Sequence, residues 1–533
     1  MKRSTDVDVV VVGAGFAGMY AIYRARALGL TIRVFEAGTD VGGTWYWNRY
    51  PGARCDVESL EYSYSFDEAL QQEWQWSEKY APQPEILCYA QHVADRFDLR
   101  RDITFETRVV SAHFNDGANL WTTHTDAGES ITSQFVIFAT GCLSAANIPK
   151  IDGQENFGGQ SLHTGEWPLD GVDFTGRRVA VIGTGSSAIQ SIPLIAESCE
   201  HLTVFQRTAT YSVPARNAPI DPEYESAVKK NYADFRRANR LQTAAFGSNI
   251  PRGTQSVLDV DDAEREAEFE RRWQRGGFGF LSSYTDFLLR EDANEIIADF
   301  VRRKIADIVR DPETAKKLMP TQVIGCKRLC LDTGYYETFN RANVTLVPID
   351  TDPIECITEQ GLIAGGTEYT FDTLVYATGF DAMTGSLMKI DIRGRHGATL
   401  ADAWEAGPVT YLGLQTVGFP NMFMISGPGS PSVLTNMIMS IEQHVEWVFE
   451  TLAYIRESGY QSIEPTNEAQ QHWIGHVNAI AAPTLYPSCN SWYLGANVAG
   501  KPRVFMPLIG FPAYVEKCNQ VKENNYEGFV LEH

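Results

Sequence analysis

An α/β fold is predicted, with two Rossmann-like dinucleotide-binding domains and a helical insertion in the second. Three observations predict it. The runs DVVVVGAGFAG (Asp8 to Gly18) and RVAVIGTGSSA (Arg178 to Ala188) are each a short β-branched stretch that empties into a glycine-rich turn and then a helix. Small residues in such a turn let backbone N–H groups approach a pyrophosphate, and the helix N-terminus faces it with its positive end. One glycine fingerprint is weak evidence; two in the same strand–turn–helix context, 170 positions apart (Gly13 to Gly183), are strong evidence for two nucleotides on one chain. Second, FVIFATG (Phe135 to Gly141) echoes at Leu374 to Gly379 as LVYATG, which indicates a duplicated architecture. Third, the texture between Asp221 and about Asp311 turns helical and rich in Glu, Arg, Ala and Asn.

In chain order, Asp8 to Val12 is too apolar to alternate, so it reads as a strand buried on both faces. Gly13, Gly15 and Gly18 fill GxGxxG, and Met19 to Leu28 continues as helix. The second strand, Thr31 to Phe35, ends in Glu36. An acid there accepts from a ribose 2′-hydroxyl and repels a 2′-phosphate, which suits FAD or NAD. Gly42 to Asp56 (GGTWYWNRYPGARCD) is poor helix and poor strand, and predicts a long ordered loop. In it Trp45 could cover a flat ring, whereas Trp47 reads as core filler. Pro84 to Phe97 predicts an amphipathic helix with proline in its first turn, and Ile103 to Phe114 a strand.

The second unit opens at Val179 to Ile182, with Gly183, Gly185 and Ala188 matching GxGxxA. Its second strand, Leu202 to Phe205, ends in Gln206-Arg207-Thr208. Arg207 stands where the first unit has Glu36, so a guanidinium and the Thr208 hydroxyl are placed to bind a 2′-phosphate, which reads as NADP. Within the insertion, Ala263 to Trp273 and Ala293 to Val309 have helical periodicity, with charge runs that read as solvated faces. GCKRLCL (Gly325 to Leu331) sets two cations in apolar context, costly unless they meet anions. A dense loop, Gly427 to Met437, precedes a helix from about Ile441 to Ser458, and Ser491 to Lys501 again has loop composition. The expected division is a first domain of 1–143 and 383–533, a second of 144–213 and 323–382, and the insertion at 214–322.

At 533 residues the chain exceeds one ordinary core. A net charge of −22 argues against nucleic acid and anionic membranes as partners, and the apolar runs are too short to span a bilayer. MKRSTDVD lacks a secretion-signal core. Nine scattered cysteines, with no CxxC and no zinc spacing, read as free buried thiols in a reducing compartment, the cytoplasm.

Between the two glycine turns lies FGGQSLHTGEWP. Phe157, Gly159, His163, Trp167 and Pro168 fill every fixed position of FxGxxxHxxxW(P/D), and Gly42 through Asp56 fill GGxWxxxxYPGxxxD. On these motifs the chain resembles the type I Baeyer–Villiger monooxygenases end to end. Its texture (PGARCDVES, GPGSPSVL, SWYLGAN) is similar to the phenylacetone and steroid monooxygenases rather than to cyclohexanone monooxygenase. One departure is PLIGFPAYVEK (Pro507 to Lys517), which lacks a second glycine beside Gly510 and puts local backbone geometry in question.

The resemblance implies an enzyme in which NADPH reduces FAD, O₂ adds to give a peroxyflavin, and that anion attacks a ketone to yield an ester or lactone; sulfides are implied as further substrates. It assigns Arg328 as the fixed cation that stabilises peroxide and adduct, with Asp56 as its carboxylate partner. FAD contacts fall on Gly13, Gly15, Gly18, Glu36, Gly43, Trp45, Asp56, Tyr62, Val109 and Met437. NADP contacts fall on Gly183, Thr184, Gly185, Ser186, Ser187, Gln190, Arg207, Thr208, Lys327, Arg328 and Trp492, with Lys327 at the 2′-phosphate and Trp492 at the nicotinamide ribose. His163 is implied to be structural or conformational, the hinges to lie near Ala145 and Ala382, and the substrate liners to be Leu143, Val433, Leu434 and the region near Phe246. No metal is implied. The alternative is a flavin-containing N/S-monooxygenase, which shares both nucleotide sites but not the Asp56–Arg328 pair. A disulfide reductase lacks support, because no close cysteine pair follows the first glycine turn.

Overall fold

A computed structural model describes residues 5–502 and 509–533. Two sheets organise it. The strands of the first are β1 (Val7–Val12), β2 (Ile32–Phe35), β3 (Ile103–Thr104), β4 (Val109–Asn115), β5 (Leu120–Thr125) and β6 (Ser130–Phe138). Those of the second are β7 (Gln160–His163), β8 (Arg178–Ile182), β9 (His201–Gln206), β10 (Val344–Pro348) and β11 (Thr373–Tyr376). Late in the chain, β12 (Asp391–Arg393) and β13 (Met422–Met424) return to the first sheet. Its order is β12-β4-β5-β6-β1-β2-β3, with β13 beside β6; the second runs β10-β9-β8-β11-β7, parallel throughout.

The unbroken apolar text of the two leading strands has a direct cause. Side chains alternate across a sheet. Val9 and Val11 enter one core and Val10 and Val12 the core on the opposite face. Likewise Val179 and Val181 pack on one side of the second sheet, and Ala180 and Ile182 on the other. Both central strands are covered twice, so neither can alternate with polar residues.

The expected strand over 103–114 is two strands, broken where Glu106 takes φ 52°. The loop expected over 42–56 contains one helical turn, Thr44–Trp47. The helix expected from Ile441 starts at Met437, because the Asn436 side chain accepts from the Ile438 N–H and begins it there. Pro507 and Leu508 lie outside the described residues; from Gly510 the chain enters the helix Phe511–Glu523, with Pro512 in its first turn, where a missing N–H costs nothing.

The segment 214–322 is helical and shared between the two cores. Val228 and Tyr232 pack with the first sheet's helices, whereas Phe269, Trp273, Ile297 and Phe300 pack with the second sheet. Asp221, Asp261 and Asp311 each cap a helix with their side chains. The two chain crossings between sheets run side by side: Ala146 bridges Phe380, and the Asp381 N–H donates to Ala145 O at 2.8 Å.

The cysteine expectation needs correction. Cys326 and Cys489, both buried, are joined as a disulfide with Cα atoms 5.7 Å apart, and Cys88 is exposed rather than buried. Sequence spacing cannot reveal a pairing across 163 positions.

Candidate functional site

The two glycine turns share one construction. Gly13 takes φ +104°, and a Cβ there would lie 2.6 Å from Ala139 O; Gly183 takes φ +110°, and a Cβ would lie 2.5 Å from Ala377 O. Those carbonyls belong to the two ATG segments. The echo in the sequence is therefore a repeated contact, in which the end of a neighbouring strand closes on the first glycine. Helices Phe16–Ala27 and Ser186–Ser198 begin at Gly15 and Gly185 with no side-chain cap, so their first N–H groups stay free for an anion.

Around the first turn lies a cavity of about 860 Å³. Gly13, Gly15, Glu36, Gly43, Trp45, Asp56, Tyr62, Val109 and Met437 all line it. Gly18 does not; it lets the helix approach the strand, since a Cβ there would lie 2.0 Å from Gly13 O. The Glu36 carboxylate, 6% exposed, accepts from the Ala14 N–H (2.7 Å) and the Gly38 N–H (2.8 Å). It holds the turn as well as facing the cavity. Trp45 Nε1 donates to the Tyr62 hydroxyl at 3.2 Å, which fixes both rings edge to face. Trp47, expected as core filler, is only half-buried and also lines the cavity.

Arg328 also lines this cavity and forms a two-pronged ion pair with Asp56, Nε to Oδ2 at 2.6 Å and Nη2 to Oδ1 at 2.7 Å. Nη1 donates to Val433 O at 2.8 Å, and the guanidinium lies over the Phe278 ring, 4.8 Å from its centroid. Burial alone would lower the Arg328 pKa. The Asp56 charge and its hydrogen bonds override that and raise it, so the cation is permanent.

The second nucleotide unit is arranged differently. Ser186, Gln190, Trp492 and Arg328 reach the same cavity, but Gly183, Thr184, Gly185, Ser187, Arg207, Thr208 and Lys327 do not line it. Gly185 and Arg207 are exposed, and a Cβ on Gly185 would meet nothing within 4 Å. Thr184 Oγ1 donates to Thr208 O at 2.8 Å, tying the turn to the strand end that carries Arg207. Lys327 is close enough to Arg207 for the two charges to repel; burial, and then Arg207, push its pKa below the ordinary lysine range.

Between the units lies the aromatic loop. Tyr50 Oη donates to Gln190 Oε1 (2.8 Å), Gln190 Nε2 donates to Arg54 O (3.1 Å), and a Cβ on Gly52 would come 2.2 Å from Gln190 O. The intervening fingerprint is an edge strand, β7, rather than only a connection. Ser187 Oγ lies 3.1 Å from Thr164 Oγ1, and the Trp167 N–H donates to Trp47 O at 3.3 Å. His163 is buried, its Nδ1 accepting from the Gly165 N–H at 3.0 Å and its ring edge-on to Phe380 in the second crossing. Burial lowers its pKa and keeps the ring neutral.

Residues 7–261 match the family model described as pyridine nucleotide-disulphide oxidoreductase. The Baeyer–Villiger monooxygenase of Pseudooceanicola batsensis is 44% identical over 530 residues, covering 98% of this chain and 96% of that one. The chain belongs to the Baeyer–Villiger monooxygenases. Cyclohexanone 1,2-monooxygenase of an Acinetobacter species is 42% identical, over 100% of this chain and 98% of its own. A solved structure described as oxidized steroid monooxygenase bound to NADP superposes with a TM-score of 0.93 at 52% identity, covering 99% of each chain. Among the described residues no helix is long and apolar enough to cross a membrane, and no group of three or more metal-binding side chains occurs.

Three features of the site lie outside this family's motifs. Phe278 sits in GGFGF, where Gly276 and Gly277 both take positive φ and a Cβ on Gly276 would lie 2.5 Å from Pro214 O. That glycine-aromatic run was a legible sign of a close backbone approach. The Val433 carbonyl and the exposed Lys389 at the cavity rim had no such sign.

Proposed function

We propose that the chain is an FAD-dependent, NADPH-consuming monooxygenase that converts ketone, O₂, NADPH and a proton to ester or lactone, NADP⁺ and water. The observation that carries it is the Arg328–Asp56 pair, set on Phe278 and lining the same cavity as the first glycine turn. The residues fit the cofactor: the turn has backbone where side chains would collide, an uncapped helix start, and a buried carboxylate at the strand end. FAD bound there, reduced by NADPH, would supply activated oxygen.

The protein's own part is electrostatic. Arg328 cannot surrender its proton under working conditions, so it supplies positive charge without protonating an oxygen anion. Asp56 and Val433 O hold the guanidinium before any charge develops, so no reorganisation accompanies the reaction. Trp492 lines the cavity and would help exclude water from it. Arg207 and Lys327 would take the 2′-phosphate of NADPH. Gly183, Thr184, Gly185, Ser186, Ser187 and Gln190 would form the pyrophosphate turn and its join to the first unit. Leu143, Val433 and Leu434 cluster with Tyr486 and Tyr493 near Arg328, and the Phe246 ring packs tilted against Phe278 with centroids 5.7 Å apart. This apolar surround suits bulky ketones, and sulfides as secondary substrates. Relative motion of the two units about the paired crossings near Ala145 and Ala382 would alternate hydride transfer with oxygenation. We also place the enzyme in the cytoplasm, in keeping with seven free cysteines.

Arg328→Ala tests the assignment. The variant should retain FAD and still be reduced by NADPH, but form no ester; substantial ester from it removes Arg328 from its role. A product screen across aryl, steroid, cyclic and long-chain ketones assigns the substrate class.

A further inference from the structure

The Cys326–Cys489 bond joins two segments that both serve the site. Cys326 directly precedes Lys327 and Arg328, and Cys489 stands three positions before Trp492. The sulfurs lie in an apolar cluster with Cys142, Val433, Tyr486, Tyr493 and Leu494. Two members of that cluster, Cys142 and Val433, line the cavity.

Just beyond Cys489, Tyr493 and Leu494 pack in this same cluster, and from Asn497 to Lys501 the segment makes exchangeable polar contacts. Asn497 Nδ2 donates to Phe380 O (2.7 Å), Asn147 Nδ2 donates to Asn497 O (3.1 Å), and Lys501 Nζ pairs with Asp381 and Ala382 O. The far end of the Trp492 segment is thus latched to the two crossings, and its near end is bolted covalently to the loop that presents Arg328.

We propose that this pair is a reversible redox lock, closed by hydrogen peroxide, that pins the Trp492 segment over the site. In a reducing compartment such a bond is transient rather than structural. One thiolate attacks peroxide, cleaves its O–O bond and becomes a sulfenic acid with loss of the first water. The second thiol attacks that sulfur, forms the S–S bond and expels the second water. Two sulfurs are oxidised by two electrons in all, and one peroxide is reduced to two waters. A dithiol reductant reverses the step by exchange.

The oxidant rests on the monooxygenase reading, since flavin enzymes of this kind release peroxide when oxygen activation is not followed by transfer to substrate. The lock then limits its own trigger. When the segment is free, the nucleotide beneath Trp492 departs more readily, water enters, and peroxide escapes. That peroxide closes the bond, and the closed bond suppresses the leak.

The experiment uses FAD-loaded enzyme, fully reduced with dithiothreitol or treated with stoichiometric peroxide. Thiols are counted after denaturation and the cross-link is mapped by mass spectrometry of a non-reduced digest. Reduced protein should show nine thiols and oxidised protein seven, with the missing pair mapped to Cys326 and Cys489. Oxidised enzyme should release at least about threefold less peroxide per NADPH consumed, and release NADP⁺ correspondingly more slowly. Dithiothreitol should restore both, Cys489→Ser should behave as reduced enzyme under either treatment, and Cys88→Ser at an exposed position should respond as the parent does. Nine thiols after peroxide, or an equal leak in the two states, overturns the lock. A protein that consumes no NADPH and forms no ester instead overturns the monooxygenase reading, while the thiol count still decides the cross-link.

Discussion

The two dinucleotide units begin with nearly the same text and are finished in opposite ways. The first is closed by its own chain. A Cβ on Gly15 would lie 3.3 Å from Gly43 Cα, Gly18 has no room for a methyl group, and the strand-end acid Glu36 is buried with both oxygens taken by backbone N–H groups. The second stays open. Gly185 has free space around it, its third motif position tolerates a buried alanine at Ala188, and its strand-end cation Arg207 is exposed. On the proposed function, this is the difference expected between a resident cofactor's site and that of an exchanging co-substrate. The first turn is closed by the fold itself, and the second leaves its glycine and its arginine exposed.

If so, equivalent substitutions should have unequal effects. Gly18→Ala should be the most damaging, because the clash is with backbone and cannot be relieved by a rotamer. Overpacking of about 3 kcal/mol or more should appear as lost FAD absorbance and a lowered melting temperature. Ala188→Gly, the reciprocal change, should cost about 1 kcal/mol of helix propensity and leave FAD in place.

Next is Arg207→Ala. Losing one charged hydrogen-bonding partner of a phosphate, about 1.5–3 kcal/mol, should shift the NADPH-over-NADH preference in kcat/KM by roughly 10- to 100-fold. An unchanged ratio would mean that the 2′-phosphate is read elsewhere. Gly185→Ala sharpens the contrast further. Its backbone is extended (φ −82°, ψ −170°) and its surroundings are empty, so melting temperature and FAD content should not move. Only the NADPH KM should rise, since the added methyl group meets nothing but the pyrophosphate. A loss of stability instead would show that this turn, too, is closed by protein.

The smallest effect expected is in pH dependence. Burial and Arg207 lower the Lys327 pKa, so its charge is lost, as pH rises, earlier than for an ordinary lysine. The kcat/KM for NADPH, but not for NADH, should fall on the alkaline side. In Arg207→Ala one repelling charge is gone, and that fall should move to higher pH.

How much of this the residues disclose depends on the range of the interaction. The glycine turns, the strand-end acid and the strand-end arginine were readable because each is a local backbone requirement written within a few positions. The doubled ATG was readable as repetition, although its cause, a carbonyl against a glycine, emerges only in three dimensions. The Arg328–Asp56 pair spans 272 positions and was reached through family resemblance, not spacing. The Cys326–Cys489 bond had no such guide and was misread as free thiols. The helical insertion was legible as helix from its composition and periodicity, but its division between two cores was not, since burial against a distant sheet leaves no local mark.

The return of β13 to the first sheet also governs the order of assembly. Val136 pairs with Met422, which leaves the ribosome 286 positions later. At about 5–20 residues per second that interval is roughly 15 to 60 s. During this time the half-made first sheet exposes a strand edge, and by the end of it the second sheet, whose final strand ends at Tyr376, is complete. The later-numbered unit therefore matures first on the nascent chain, and flavin capture waits for the last third of translation.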